Sequence, residues 1–280
     1  MTRLALLIVA TGLCCASAAQ QPGEDRIWQD FVEWYRKQPA GDSGIRKGLL
    51  EHLKRSGLSV AEAERRATLI DRLRVERRDE LHPLFFDRTY ADPAPRFNTG
   101  PNATLVDAVR DIPPGRALDI HMGQGRNALY LASKGWDAFG FDFSAEGVRV
   151  ARAASAKAGV KLTATVARHE DFDFGVERWD LIVMSYTWVP LRGGDMERII
   201  GSLKPGGRVV FEHLMDESGG SGAGPWLPKP NELLEVFRSL RILFYEDVRD
   251  RADWSWRPER IARLIAEKPR AGAGASGNAR

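Results

Sequence analysis

The chain has 280 residues, of which 43% are hydrophobic and 28% charged, so it can build a packed core and is not a disordered chain. Its 41 basic and 38 acidic residues leave a net charge of +3, which argues against a dedicated nucleic-acid binder. The two cysteines, Cys14 and Cys15, are adjacent, so no structural zinc site or disulfide framework is predicted.

Residues 1–19 have the pattern of a secretory signal peptide. A basic start precedes an apolar run of about 16 residues that ends in small side chains. The run is shorter than the roughly 20 residues of a membrane-spanning helix, so no stable membrane span is expected. We expect cleavage after Ala18 or Ala19 and export to the periplasm or the exterior. The protein is cytoplasmic if the start is misassigned or the signal is not used.

Residues 20–97 are predicted to form a helical N-terminal extension or cap. The apolar side chains Ile27, Phe31, Trp34 and Tyr35 recur at helical spacing, and Ile45–Arg55 is a second helical stretch.

A third helix is predicted to start at Ser59, where Glu62 stands three residues later as a capping box. The mixed charges of residues 72–80 are interpreted as a solvated face of that same helix. The amphipathic helices of this extension also offer a surface for a homodimer.

From about residue 104, short apolar runs alternate with helical patterns, which predicts a mostly parallel sheet covered on both faces. Ligands of such sheets bind at the carboxyl ends of the strands. The predicted strands are 116–121, 137–143, 161–167, 179–186, 207–214, 241–247 and 261–267. The predicted helices are 127–134, 145–158, 195–203 and 232–239. Residues 269–280 are rich in small side chains and are predicted to be a disordered tail.

The strongest motif is a strand that ends in an acid and leads through a glycine-rich turn into a helix. It runs through Asp119, Gly123 and Gly125 to Asn127. The glycines allow positive φ and a close approach of the backbone to a ligand. The free N–H groups of the helix start favour a carboxylate or a phosphate.

Three features later in the chain strengthen the prediction of a ligand site at this motif. Asp142 ends the second predicted strand, where a carboxylate can accept both ribose hydroxyls. Glu170 and Asp171 follow the third strand, beside a place for an adenine. Residues 203–207 (LKPGG) are predicted to form a tight turn before the fifth strand.

With these motifs the chain resembles the class I S-adenosylmethionine-dependent methyltransferases over residues 98–268. Residues 125–132 (GRNALYLA) are similar to the small-molecule branch that includes the tellurite-resistance-type and thiopurine-type enzymes. The resemblance implies a Rossmann-like α/β fold with a seven-stranded sheet whose last strand is antiparallel. It also implies S-adenosyl-L-methionine as cofactor and a small-molecule methyl acceptor.

The resemblance assigns the cofactor to positions around the first four strands. The methionine part would lie at the glycine-rich turn, the ribose and adenine at the second and third strands, and the sulfonium at the fourth. The implied cofactor-binding residues are Asp119, His121, Gly123, Gly125, Asn127, Asp142, Phe143, Glu170, Asp171 and Ser185.

Two positions depart from the family pattern. His121 stands at the first glycine of the motif, where a positive φ would cost a histidine about 1–2 kcal/mol. That cost corresponds to about a tenfold loss of affinity for the cofactor. Arg168 stands where many members have the acid that meets the adenine amino group, and Glu170 is the expected substitute.

Methyl transfer needs a base only if the acceptor must lose a proton. Tyr186 and His213 are the candidate bases, with His169 and Asp216 as further options. Trp188 and Trp226 are candidate walls for an apolar acceptor or a sulfonium.

The glycine-rich residues 219–224 form either a lid or a surface loop. Two other functions stay open: a non-catalytic binding protein that keeps the fold, and a nucleotide-cofactor oxidoreductase with Ala128 at its third glycine position.

Overall fold

The computed structural model describes residues 23–41, 44–217 and 224–270. The predicted signal peptide, residues 271–280 of the predicted tail and residues 219–223 of the glycine-rich segment lie outside the described residues. The chain divides into two compact units. The first contains the residues up to Lys37 together with Arg46–Glu76, and the second contains Gln38–Ile45 together with the residues from Arg77 onward. Among the described residues, no helix is both long enough and apolar enough to cross a membrane.

The described residues of the first unit form three helices, in agreement with the predicted pattern. They are α1 (Glu24–Arg36), α2 (Ile45–Arg55) and α3 (Val60–Glu76). α1 buries Ile27, Phe31 and Tyr35, and also Trp28, which the helical spacing did not single out. The backbone N–H of Glu62 donates to Ser59 Oγ over 3.3 Å, which is one half of the predicted capping box.

A fourth helix, α4 (Arg78–Tyr90), corrects the interpretation of the charge run at residues 72–80 as one helix face. The helix breaks at Arg77, whose φ of −107° and ψ of 33° are not helical. No glycine or proline marks this break, and Pro83 lies inside α4, so the sequence pattern gave no boundary there. α4 belongs to the same unit as the sheet, whereas the helical pattern predicted a single extension over residues 20–97.

The second unit contains a seven-stranded sheet in the order β3-β2-β1-β4-β5-β7-β6. β7 is antiparallel to both of its neighbours and the other pairs are parallel, so the predicted Rossmann-like sheet is confirmed. The strands are β1 (Arg116–Ile120), β2 (Asp137–Asp142), β3 (Leu162–Val166), β4 (Trp179–Ser185), β5 (Leu203–Leu214), β6 (Arg241–Arg251) and β7 (Pro258–Glu267). The helices are α5 (Ala103–Val109), α6 (Arg126–Ser133), α7 (Ala145–Ala158), α8 (Gly194–Ser202) and α9 (Glu232–Val236).

The central strand β4 shows why these apolar runs form a sheet covered on both faces. Ile182 and Met184 belong to the hydrophobic core on one face, and Leu181 and Val183 belong to the core on the other. Successive side chains of a strand alternate between faces, so a strand that is buried on both sides reads as an unbroken apolar run.

The predicted turn at residues 203–207 lies inside β5, so the expectation of a turn before the strand was wrong. Leu203 pairs with Trp179 and Arg208 pairs with Leu181, which leaves a bulge between them. At the bulge, the N–H of Gly206 donates to the carbonyl of Lys268, directly after β7, over 2.8 Å.

Candidate functional site

One cavity opens at the carboxyl ends of the parallel strands, where the sequence placed the site. We call it the first cavity. It is lined by the segments that follow β1, β2, β4 and β5, by α4 and by the connection between β6 and β7. Of the predicted site residues, Asp119, His121, Gly123, Asn127, Asp142, Phe143, Ser185, Tyr186, Trp188 and His213 line it.

A second cavity lies beside the first and is lined by Arg78, His82, Arg168 and Trp226, among others. Glu170 lines this second cavity and not the first. The predicted cofactor residues Gly125 and Asp171 line neither cavity.

The two glycines of the turn are required by internal packing. Gly123 has φ +55°, and a Cβ there would lie 2.5 Å from the hydroxyl of Tyr90. Gly125 has φ +78°, and a Cβ there would lie 3.0 Å from the Cβ of Ala151 on α7. Sequence reasoning gave these glycines to a ligand, but the side chain that covers Gly123 in the structure is Tyr90.

Asp119 ties the end of β1 to the first turn of α6. Its Oδ2 accepts a hydrogen bond from the N–H of Ala128 over 3.1 Å, and the side chain of Asn127 also bonds to it. The carboxyl group is buried, and this burial raises the pKa of Asp119 to about 7. The predicted acid therefore connects β1 to the start of α6 at the wall of the first cavity.

Asp142 connects the end of β2 to the same turn. Its two carboxylate oxygens accept from the N–H groups of Gly123 and Ser144, both over 2.8 Å. Burial raises the pKa of Asp142 to about 6. An ionised carboxylate offers about four lone-pair sites, so two sites are left for ligand hydroxyl groups at the cavity wall.

His121 has the left-handed backbone that the family's glycine position suggested, with φ +52°. The N–H of Trp188 donates to His121 Nδ1 over 3.1 Å, and its Nε2 is buried with no hydrogen-bond partner among the described residues. The ring packs edge-on against Phe141 and Phe143. Burial lowers the pKa of His121 to about 3, so the imidazole is neutral at physiological pH.

The charge of Asp79 on α4 acts on Arg168, but the guanidinium makes its hydrogen bond to an acid of its own segment. It bonds to Glu170, two residues away, over 3.1 Å, so the expected substitute acid is itself neutralised. His169 is buried between Glu170 and Asp195, at 3.3 and 3.5 Å, and lines only the second cavity. His169 is thus apart from the other candidate bases.

Tyr186 is the candidate base with the most defined surroundings. Its hydroxyl donates to Glu212 Oε1 over 2.7 Å, and its backbone is left-handed, with φ +57°. Glu212 is 1% exposed and also accepts from Thr104 over 2.7 Å and from Arg263 over 3.0 Å. Burial and the Glu212 carboxylate raise the pKa of Tyr186, so the phenol stays protonated at neutral pH.

His213 lines the first cavity at the end of β5. Its Nδ1 lies 3.1 Å from the carbonyl oxygen of Leu214, and the carbonyl of Thr187 also interacts with the ring. Burial lowers the pKa of His213 to about 4. Asp216, the remaining option, lines neither cavity.

Arg126 is a site residue that the sequence reasoning missed. Its Nη1 lies 2.5 Å from Asp253 Oδ2, and both side chains are about nine-tenths buried. The guanidinium also donates to the carbonyl of Gly100 over 3.1 Å and to Ser185 Oγ over 3.3 Å. The one feature of the sequence that could have identified Arg126 as a site residue is its position directly after the last glycine of the turn, at the start of α6.

Aromatic rings form much of the wall of the first cavity. Trp254 stacks on Phe97 with a centroid distance of 4.2 Å and an interplanar angle of 12°. Trp188 lies against Trp226 at 4.4 Å, although Trp226 lines only the second cavity. Of the predicted wall residues, Trp188 lines both cavities and Trp226 the second, and Phe97 and Trp254 line the first.

Comparison with known proteins agrees with this architecture. Residues 117–207 match a family described as a methyltransferase domain. The chain is 26% identical over 188 residues to hemagglutinin 1 of Eikenella corrodens, covering 61% of this chain and 60% of that protein. It is 25% identical over 164 residues to the probable S-adenosyl-L-methionine-dependent methyltransferase TehB of Haemophilus influenzae, covering 54% and 55%.

Among solved structures, the N-methyltransferase NodS of Bradyrhizobium japonicum in complex with S-adenosyl-L-homocysteine is similar in fold. The TM-score is 0.54 at 17% identity, with 66% of this chain and 96% of that chain covered. The chain spans 55–60% of the length of the two curated relatives. The segment that matches the family contains Asp119, Asp142 and Ser185, which line the first cavity.

Proposed function

We propose that the chain is a class I S-adenosylmethionine-dependent methyltransferase and that it transfers a methyl group to a small-molecule acceptor by in-line displacement. The observation that carries the proposal is the convergence of Asp119, Asp142 and Ser185, from three strands, on one cavity at the carboxyl edge of the sheet. S-adenosylmethionine supplies the methyl group as a sulfonium when it is bound.

The residues at the first cavity fit this cofactor. Asp142 has lone pairs left for a pair of ribose hydroxyls. His121 has a buried ring nitrogen without a partner among the described residues. The faces of the aromatic side chains attract a cation such as a sulfonium. The enzyme's own contribution is to hold the two reactants in line and to exclude water.

The wall chemistry favours an acceptor that is apolar or aromatic. Phe97, Tyr186 and Trp254 lie at the part of the cavity formed by the entry segment, β4 and the β6–β7 connection. The cation at this wall, Arg126, is neutralised by Asp253 and does not supply a spare charge for an anionic acceptor. We infer a planar small molecule with a hydroxyl, thiol or amine as the methylated group.

Tyr186 and Glu212 provide a route for the proton of such an acceptor. The acceptor's O–H or N–H proton passes to the phenolic oxygen of Tyr186, and the phenolic proton passes to Glu212 Oε1. Arg263 tolerates this neutralisation of Glu212 because it also pairs with Glu246 and Asp250, at 2.6 and 3.0 Å. His213 is the alternative base, and a Tyr186→Phe variant with full activity would favour it.

The proposal is tested by calorimetric titration of S-adenosylhomocysteine into the full chain. We expect micromolar or tighter binding in the wild type and loss of binding in Asp142→Ala. The matched control is Asp173→Ala, because the side chain of Asp173 is 90% exposed and its loss leaves the cavity intact.

A screen of planar phenols, thiols and amines with isotopically labelled S-adenosylmethionine then identifies the acceptor by mass spectrometry. No binding of S-adenosylhomocysteine at millimolar concentration would refute the proposal and favour the non-catalytic alternative. Binding of NAD(P)H in its place would favour an oxidoreductase.

A further inference from the structure

The first and second cavities share a wall, and His121 stands in it. The first cavity contains the carboxylates Asp119 and Asp142, and the second contains Arg168 and Glu170. His121 lines both. A ligand long enough to reach from one cavity into the other therefore passes the imidazole.

The hydrogen bond to Trp188 fixes which nitrogen of His121 carries the proton. A backbone N–H is always a donor, so Nδ1, which faces the N–H of Trp188 at 3.1 Å, is the unprotonated acceptor. In the neutral ring the proton is then on Nε2. This Nε2–H is buried and has no acceptor in the part of the chain that the structure describes. A buried donor without an acceptor is unfavourable in a folded protein.

The backbone at the same residue is strained as well. His121 follows β1 with φ +52°, and Tyr186, after the neighbouring strand β4, has φ +57°. A left-handed conformation is unfavourable for residues with a side chain, and such residues cluster at ligand sites. Two unfavourable features thus coincide in one side chain at the centre of the site, where the family pattern has a glycine.

We propose that His121 is a ligand-binding residue whose Nε2–H donates a hydrogen bond to the nucleoside part of the bound cofactor. The recognised atom is an acceptor, either a ring nitrogen or an oxygen, and this bond gives the orphaned donor its partner. The inference rests on the proposed function, because it takes the nucleoside cofactor as the ligand. The His121 side chain thereby adds a polar contact to the cofactor that a glycine at this position cannot make.

Nuclear magnetic resonance of the full chain, labelled with 15N in its histidines, tests this directly. The chain has five histidines, and the spectrum of His121→Asn identifies the His121 signals by their absence. Without ligand we expect the Nε2-protonated form. On saturation with S-adenosylhomocysteine, the Nε2 and its proton should shift in the direction of a stronger hydrogen bond.

His121→Asn also serves as the binding variant. Asparagine tolerates a left-handed backbone, and its side-chain oxygen can accept from the N–H of Trp188, but it has no donor at the Nε2 position. We expect affinity for S-adenosylhomocysteine to fall about tenfold, the effect of losing one hydrogen bond. The control is His52→Asn on α2, which should bind like the wild type.

The outcomes separate this inference from the proposed function. Wild-type binding with an unchanged Nε2 signal, or equal affinity of a folded His121→Asn, would overturn the inference and leave the proposed function standing. Absence of binding in the wild type would overturn both. If His121→Asn does not fold, the wild-type resonance shift decides the question.

Discussion

The hydroxyl of Tyr186 donates to Glu212 Oε1 over 2.7 Å, and this bond joins the wall of the first cavity to a carboxylate buried in the sheet. Glu212 on β5 also accepts from Thr104 and Arg263. A carboxylate that is 1% exposed depends on such donors, because burial of an unpaired charge is costly. The candidate base is therefore held by the same network that keeps Glu212 folded into the sheet.

Removal of the Tyr186 hydroxyl should destabilise the fold. Tyr186→Phe deletes a hydrogen bond to a buried charge, and we expect the free energy of unfolding to fall by about 1.5–3 kcal/mol. Tyr130→Phe on α6 is the control and should change it by less than about 0.5 kcal/mol. Urea unfolding measures both variants. If Tyr186→Phe were as stable as the wild type, the hydrogen bond to Glu212 would contribute nothing to the stability of the fold.

The buried ion pair of Arg126 with Asp253 should be important for stability. Asp253→Ala leaves the Arg126 charge uncompensated, and it also removes the acceptor of Asn98 and Asn102, at 3.1 and 3.2 Å. We expect a loss of about 3–5 kcal/mol in the free energy of unfolding.

The control for this pair is Asp107→Ala, since the side chains of Asp107 and its partner Arg110 are 62% and 65% exposed. An exposed pair of this kind contributes at most about 1 kcal/mol. Thermal unfolding of the two variants gives the comparison. If Asp253→Ala and Asp107→Ala lost similar amounts of stability, the buried Arg126–Asp253 pair would contribute no more than an exposed pair.

Contact with Tyr90 should make Gly123 intolerant of a side chain. Gly123→Ala adds a Cβ 2.5 Å from the Tyr90 hydroxyl at a left-handed φ, and we expect a loss of about 2–4 kcal/mol. Gly159→Ala is the matched control, because Gly159 is also left-handed, at φ +65°, but a Cβ there meets nothing within 4 Å. That variant should lose only about 1 kcal/mol.

A double variant isolates the steric part of this effect. Tyr90→Leu removes the ring that the new Cβ would meet, so Gly123→Ala should cost less in that background than in the wild type. Denaturant unfolding of the four proteins gives the interaction energy. An additive result would place the cost of Gly123→Ala in its backbone alone.

Ionisation of Asp119 should make stability depend on pH. Burial raises the pKa of Asp119 from 3.8 to about 7 in the folded state. Between pH 4 and 7 the native state then binds more protons than the unfolded state, so the free energy of unfolding falls as the pH rises. This destabilisation is complete above about pH 7.

Asp119→Asn lacks this titration. Its stability relative to the wild type should therefore rise by on the order of 2–3 kcal/mol between pH 5 and pH 8. Asp173→Asn, at an exposed position, should follow the wild type across the same range. Urea unfolding at the two pH values measures the difference, and parallel profiles for Asp119→Asn would contradict the raised pKa.

The sequence alone determined the sheet and the edge where the site lies. The run at residues 181–184 is apolar at successive positions because both faces of β4 are covered, so local composition was enough to predict a buried strand. Asp119 and Asp142 were found because they lie at or next to the ends of strands, and the carboxyl ends of parallel strands meet at one edge. These features depend on spacing within a few residues, which a sequence displays directly.

Only the tertiary structure decided what surrounds those residues. Asp253 lies 127 positions from Arg126, and Glu212 lies 108 positions from Thr104. Tyr90 covers Gly123 from a helix whose start carried no glycine or proline signal. Periodicity encodes which side of an element is buried but not which distant side chain lies against it. The partners of the candidate base and the orphaned nitrogen of His121 follow from packing between elements far apart in the chain.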